Sequence, residues 1–186
     1  MKGYIICGVY NNLEQLIKEA KEGNKDAFGK LYEHFRKRIF RYIYYLTYDR
    51  DLGEDFTQLT FLKAWVALPN FSSRKGTLQA YLYSIARNLV IDYKRRRKEV
   101  SLENIAEPAY TTDFEDKLIK EDNVKIVHRL LAELDGEEKQ LVIFRYFEEL
   151  HFGEIASILH KKEGAIRVRL HRILQKLKGR IKKNGY

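Results

Sequence analysis

Tyr81, Ser84, Asn88, Asp92 and Arg95 recur at spacings of three and four. At about 100° per residue, that spacing lines a phenol, a hydroxyl, a carboxamide, a carboxylate and a guanidinium along one stripe of a helix. These are groups that hold nucleic-acid bases. Tyr81 and Tyr83 offer faces on which exposed bases stack, Asn88 can make paired hydrogen bonds to a base edge, and the run Lys94 to Lys98 can neutralise phosphates. A solvated amphipathic helix whose basic end complements its own dipole has the same composition, so the stripe alone leaves both readings open. Just upstream, Phe71, Ser72, Ser73, Arg74 and Lys75 form a loop able to hold an unstacked base, although such loops also serve as plain connectors.

A second cluster lies near the C-terminus. Arg167, Val168, Arg169, His171, Arg172 and Lys176 fall on a helix expected from Gly164 to about Lys182, with Ile166, Leu170, Ile173, Leu174 and Leu177 inside. A short helix over Phe152 to Leu159, carrying Glu154-Ile155-Ala156, and a turn at His160 to Glu163 precede it. The order is that of a helix-turn-helix, whose second helix enters a major groove by its N-terminal half. The competing reading is a charged surface helix of a bundle, against which the strong positive balance argues. A third cluster, Glu54, Asp55, Gln58, Phe61 and Trp65, sits on a helix expected over Asp51 to Leu68. Leu52, Phe56, Leu59 and Val66 are its expected core stripe, so carboxylates beside two aromatic rings on another face suggest a protein partner. Equally, Phe61 and Trp65 would merely widen the core contact.

Catalysis has little support in these residues. No nucleophile–base pairing, phosphate-cradling glycine loop or cluster of metal ligands is present, and no cofactor or metal is expected. His151 and Glu154 lack a further ligand, and Glu54 and Asp55, adjacent on a helix, diverge by about 100° and do not easily share an ion. Cys7 is the single cysteine, which excludes an intrachain disulfide and a cysteine-based zinc cage and makes a reducing, cytoplasmic setting the default. The longest apolar runs fall well short of the roughly 20 residues that cross a bilayer, so no membrane insertion is expected.

The elements that must position these groups are helices throughout. At 186 residues, 45% hydrophobic and 33% charged, the chain buries either one ordinary core or two small ones. Asn12 to Glu22 is a first helix, with Leu13, Leu16, Ile17 and Ala20 on one face. Asp26 is the expected cap of a longer second helix carrying Phe28, Leu31, Tyr32, Phe35, Ile39, Tyr42, Ile43 and Leu46. A fourth runs from Thr77 to about Lys98, with Leu78, Leu82, Ile85 and Leu89 as its apolar stripe. Val124 to Leu134 and Glu137 to Phe147 are helices of the second half. Charge is segregated: His160 to Lys183 holds ten Lys and Arg against Glu163 alone, a balance of +9 that equals the whole chain's, while Glu99 to Asp122 holds eight acidic residues against two lysines. Segregated positive charge favours a polyanion. The organisation that results is an N-terminal tail at 1–11, a helical domain at 12–98, an acidic linker at 99–122 and a helix-turn-helix domain at 123–186.

Over nearly its full length the chain resembles the extracytoplasmic-function group of bacterial sigma factors, of the sigma-70 family. Ala27-Phe28, Leu31-Tyr32 and Phe35, then Glu54-Asp55, Gln58, Phe61-Leu62 and Ala64-Trp65, resemble the first half of the family's N-terminal domain. Leu82 to Asn88, with Asp92 and the arginine run, resembles its promoter-melting helix. Leu131 to Leu134, Arg145-Tyr146-Phe147, Glu154-Ile155-Ala156 and Arg167 to Leu170 with Arg172 resemble its C-terminal domain. The resemblance implies an all-α protein of two small domains, sigma region 2 with four helices and a helix-turn-helix region 4, joined by the acidic linker. It implies binding to bacterial core RNA polymerase through Glu54, Asp55, Gln58, Phe61 and Trp65. It further implies reading of the upstream (−35) element as duplex by Arg167, Val168, His171 and Arg172, with Arg169 and Lys176 nearer phosphates. The start-proximal (−10) element would be taken as a melted strand by Phe71, Ser72, Arg74, Lys75, Tyr81, Ser84, Asn88, Asp92 and Arg95, with one base flipped into a pocket. Promoter DNA and an anti-sigma factor are the other partners implied, with the linker threading the polymerase's basic channels. Tyr81 stands where the family usually has Trp, Ala165 where it has Thr, His160 where it has Gly, and His151 where Ser or Thr caps a helix. The rival reading is a stand-alone helix-turn-helix regulator that binds duplex DNA without polymerase.

Overall fold

Asn24 shows how this sequence turns helical pattern into fixed geometry. Its side-chain Oδ1 accepts from the main-chain N–H groups of Asp26 and Ala27 at 3.0 and 3.1 Å and so starts one helix. Its own N–H donates to the Glu19 carbonyl at 3.1 Å and, with Gly23 N–H on the Ala20 carbonyl at 3.1 Å, closes the helix before. That pair of bonds is a Schellman closure, and Gly23, at φ +92°, occupies the left-handed position it requires. Asn24 therefore caps the second helix, and Asp26, the residue expected to do so, lies in its first turn, where its charge still complements the dipole.

The computed structural model describes residues 3–73, 76–101 and 130–184, and all regular structure among them is helical. The chain divides into two compact units, Met1–Asn104 and Ile105–Tyr186. The first contains α1 (Gly3–Lys21), α2 (Lys25–Thr47), α3 (Arg50–Ala67), a 3₁₀ turn (Leu68–Asn70) and α4 (Leu78–Ser101). Gly3 to Tyr10 is thus the first half of α1 rather than a tail, and α4 runs past the expected Lys98 end.

Packing is centred on α2, which meets α1, α3 and α4. Leu31, Phe35, Ile39, Tyr42 and Ile43 are almost fully buried at the helical spacing read from the sequence. The phase of α3 differs from expectation. Its buried side is Gly53, Thr57, Thr60, Phe61 and Ala64, whereas Val66, expected inside, is 72% exposed. Small residues explain the shift, because they let α3 approach α2 closely. A Cβ at Gly53 would come within 2.9 Å of the Phe40 ring. The two buried threonine hydroxyls are satisfied within α3, Thr57 on Gly53 O and Thr60 on Phe56 O, both at 2.6 Å.

The second unit contains α5 (Gly136–Val142), which continues as a π turn over Ile143–Phe147, α6 (Phe152–Leu159) and α7 (Glu163–Asn184). Asp135 and Glu138 form a reciprocal capping box at the start of α5. The continuous helix expected over Glu137 to Phe147 therefore changes pitch halfway, and the Leu150 N–H returns to the Phe144 carbonyl at 2.9 Å. Leu141, Ile143, Phe144, Ile155, Ile158, Ile166, Leu170 and Ile173 form the buried core. Leu174, expected inside, is 36% exposed. The acidic linker at 99–122 falls almost wholly outside the described residues, as do most of the helix expected from Val124 and the positions Arg74 and Lys75.

Candidate nucleic-acid interface

On α4 the polar stripe forms one accessible face. Tyr81 and Ser84 are half-buried, and Asn88, Asp92 and Arg95 are exposed. Tyr83 is not part of it: the ring is fully buried and meets Tyr42 edge-on at 5.3 Å. Helical phase decides this, since position 83 lies on the side of Leu82, Ala86 and Val90, which all face the core. Along the stripe, the Tyr81 ring meets Phe71 at 5.3 Å, and partial burial pushes its phenol pKa up, so it remains a neutral stacking surface. Ser84 Oγ donates to the Ala80 carbonyl at 2.9 Å, and Asp92 holds Arg95 at 3.2 Å in an exposed pair. Asn88, between them, projects into solvent. Phe71 and Ser72 are half-buried at the start of the loop.

The basic run at the end of α4 is not uniform. Lys94 Nζ donates to the Leu46 carbonyl at 2.7 Å and so caps the C-terminus of α2, and burial of its ammonium lowers its pKa. Arg95, Arg96 and Arg97, which follow it, are exposed.

The α6–turn–α7 unit has helix-turn-helix form. His160, at φ +54°, occupies the left-handed closing position of α6, with its N–H on Ser157 O at 3.3 Å and the Lys161 N–H on Ala156 O at 2.9 Å. At the other end of α6, Glu154 accepts from the His151 N–H at 2.9 Å, the half of a capping box that the glutamate supplies. On α7, Arg167, Val168, His171 and Arg172 are exposed. Arg167 is held by Glu163, with Nε at 3.2 Å, and its guanidinium lies 4.3 Å from the Phe152 ring centroid, which Arg145 also approaches at 4.9 Å. A cleft of about 620 Å³ runs beside these residues, lined by Gly164, Ala165, Val168 and Arg172 together with Lys161.

Two residues expected near phosphates have other partners. Arg169 is paired with Glu137 and, at 3.7 Å, with Asp135, and Lys176 binds Glu138 at 2.9 Å. Lys161–Glu137 and Arg180–Glu133 complete a ladder between α7, the preceding turn and the start of α5. Partial burial alone would raise the Glu137 carboxyl. The hydrogen bonds and charges of Lys161 and Arg169 outweigh it and hold the group below the usual carboxylate range. Arg169 and Lys176 thus fasten α7 to α5, a role that spacing along α7 alone did not reveal.

On α3, Glu54, Asp55 and Gln58 are exposed, as expected. Phe61 is buried, 4.8 Å from the Tyr32 ring and 6.3 Å from Phe28, and Trp65 is half-buried at 4.8 Å from Phe28. The aromatic pair therefore belongs to the α2–α3 contact. The exposed apolar residues beside Gln58 are Leu62, 60% exposed, and Val66. The signal that could have located them is Gly53-x-x-x-Thr57 with Thr60 and Ala64, a row of small residues that sets the buried side.

Comparison with known proteins adds to this geometry. Residues 31–100 match Sigma-70 region 2 and residues 125–177 match Sigma-70 region 4. The ECF RNA polymerase sigma factor SigD of Mycobacterium tuberculosis is 30% identical over 178 residues, covering 91% of this chain and 84% of that protein. The chain belongs to the extracytoplasmic-function subfamily of sigma-70 family sigma factors. SigW of Bacillus subtilis is 26% identical, with 91% of this chain and 97% of that protein aligned. BldN of Streptomyces coelicolor is 30% identical over 88% of this chain, which spans 63% of BldN. Among solved structures, CnrH in complex with the cytosolic domain of CnrY shares the fold at a TM-score of 0.71 and 22% identity, covering 92% of this chain and 98% of that one. RpoE in complex with the anti-sigma factor NepR from Bartonella quintana shares it at 0.68 and 21%, covering 83% and 96%. Within the family frame, α2 to α4 hold the region-2 match, with α1 ahead of it, and α5 to α7 hold most of the region-4 match. Among the described residues no group of three or more His, Cys, Asp or Glu is placed to hold a metal ion, and no helix is long and apolar enough to cross a membrane.

Proposed function

We propose that this chain is an alternative sigma factor that binds bacterial core RNA polymerase in the cytoplasm and directs promoter-specific initiation without itself catalysing a reaction. The observation that carries this reading is the pairing, in a family member, of an accessible base-holding stripe on α4 with a basic helix-turn-helix on α7. The domain at 12–98 binds polymerase and melts the promoter, and the domain at 123–186 reads the upstream element, with the segment 99–122 between them as linker. Polymerase docks on the face of α3 formed by Glu54, Asp55 and Gln58, to which the exposed Leu62 and Val66 are added. Phe61 and Trp65 support that face from beneath.

On the upstream duplex, Val168, His171 and Arg172 reach base edges from the first turns of α7, and Arg167 joins them when it leaves Glu163. On the melted strand, Phe71 and Tyr81 supply stacking surface, and Asn88, with Ser84 and Asp92 near it, reads the edge of an extruded base. Arg95 and the loop residues Ser72, Arg74 and Lys75 attend the phosphates. Unstacking costs a few kcal/mol, and a pocket of fixed shape offsets that for one base only, so recognition and opening are coupled. An anti-sigma partner, of the kind bound to RpoE in its complex with NepR, would mask these faces in the free protein. A stand-alone duplex-binding regulator would have no use for the exposed apolar face of α3.

The test is transcription from a pool of promoter fragments by purified core polymerase, with and without the protein and with a Leu62→Glu variant. Transcripts that start at a shared distance from two common motifs, and disappear with the variant, are expected. An unchanged transcript set on addition of the wild-type protein would refute the reading.

A further inference from the structure

One side chain outside α4 is bonded to the start of the loop that leads into it. Lys21, in the last turn of α1, donates from Nζ to the main-chain carbonyl of Phe71 at 2.7 Å, across 50 positions of sequence. Its own backbone is rigid, because the Schellman closure at Gly23 and Asn24 follows at once and Asn24 then starts α2. Phe71 is held on its other side as well. Its N–H donates to the carbonyl of the fully buried Leu68 at 2.9 Å, and its ring meets Tyr81, the first residue of the polar stripe. The 3₁₀ turn fixes one backbone group of Phe71 and Lys21 fixes the other. Beyond it the chain reaches Gly76 at φ +144°, a conformation that a residue with a Cβ rarely adopts.

We propose that Lys21 is a positioning residue for the melted promoter strand. By pinning the Phe71 carbonyl it sets the aromatic wall that Phe71 and Tyr81 present to an extruded base. Lys21 does not touch the base. A wall that drifts by about 1 Å loses the shape discrimination on which base selection depends, so the contact should appear in selectivity before it appears in folding. This inference rests on the sigma reading above.

The experiment uses full-length protein in holoenzyme, with promoters carrying each of the four bases at the selected start-proximal position. Lys21→Met keeps the apolar stem and removes the donor, and Lys21→Arg keeps a donor. For Lys21→Met, slower promoter opening by roughly tenfold and a flattened preference among the four bases are expected, with polymerase affinity and thermal midpoint unchanged. Lys21→Arg should recover the preference. In a Phe71→Leu background, Lys21→Met should add little, because both act through one wall. A Lys21→Met protein with wild-type base preference would overturn the proposal, and so would equal loss on all four bases together with a lowered midpoint. Wild-type holoenzyme that opens none of the promoters would instead sink the sigma reading itself.

Discussion

Phe61 and Leu62 are neighbours in sequence with opposite fates. Phe61 is buried between α2 and α3, while Leu62 projects from the same helix. Phe61→Ala should therefore cost about 3–5 kcal/mol of stability, read as a lower thermal midpoint, whereas Leu62→Ala should leave the midpoint nearly unchanged and weaken polymerase binding. Equal effects of the two on stability would contradict the assigned phase of α3. Arg172 and Arg169 make a similar pair on α7. Arg172 is exposed beside the cleft and Arg169 is paired with Glu137 and Asp135. Arg172→Ala should weaken upstream-element binding by about 1–3 kcal/mol and relax preference at one base pair. Arg169→Ala should lower the stability of the second unit and leave base preference intact. Competition binding with point-substituted promoters separates these, and altered base preference in Arg169→Ala would return that residue to the DNA face.

Among the elements, the hold of α5 on α7 is electrostatic at its edge, which makes it sensitive to pH. Glu137 titrates below its unfolded value because Lys161 and Arg169 outweigh its partial burial. A depressed carboxyl contributes stability above the unfolded pKa and loses it as pH falls through the folded one. Stability of this unit should thus fall as pH drops below about 4.5, and Glu137→Gln should be less stable at neutral pH with a shallower acid dependence, measured by denaturation at several pH values. Parallel curves for variant and wild type would remove Glu137 from that role. At the other edge of α6, His160 takes a backbone conformation that glycine adopts without strain. His160→Gly is expected to stabilise the unit by about 0.5–1 kcal/mol, and a lowered midpoint would show that the imidazole has a compensating contact. Much of this was legible in sequence. The periodicity of α2, the extent of α3 and the helix-turn-helix order all follow from local pattern, which depends on neighbours three and four residues away. Other features depend on partners far along the chain. The phase of α3 is set by small residues against α2, Lys94 reaches Leu46, and Arg169 and Lys176 find carboxylates on α5. A count of hydrophobic and charged residues assigns all of these to the wrong side or the wrong partner, because it weighs each helix alone.

At the level of the whole molecule, the two units carry different tasks under the sigma reading, one recognising duplex and the other a strand that must first be opened. Under that reading the stripe on α4 acts only on DNA that polymerase helps to hold open. The free protein should therefore bind promoter duplex weakly, and the same chain in holoenzyme should bind it strongly and specifically. The most direct measurement is affinity for one promoter duplex and a scrambled control across a salt series, by the protein alone and by holoenzyme. Weak, strongly salt-dependent and poorly selective binding alone, with tight selective binding in holoenzyme, is the predicted result. Tight, sequence-selective duplex binding by the free chain, unchanged when core polymerase is added, would contradict the account and leave a helix-turn-helix regulator in its place.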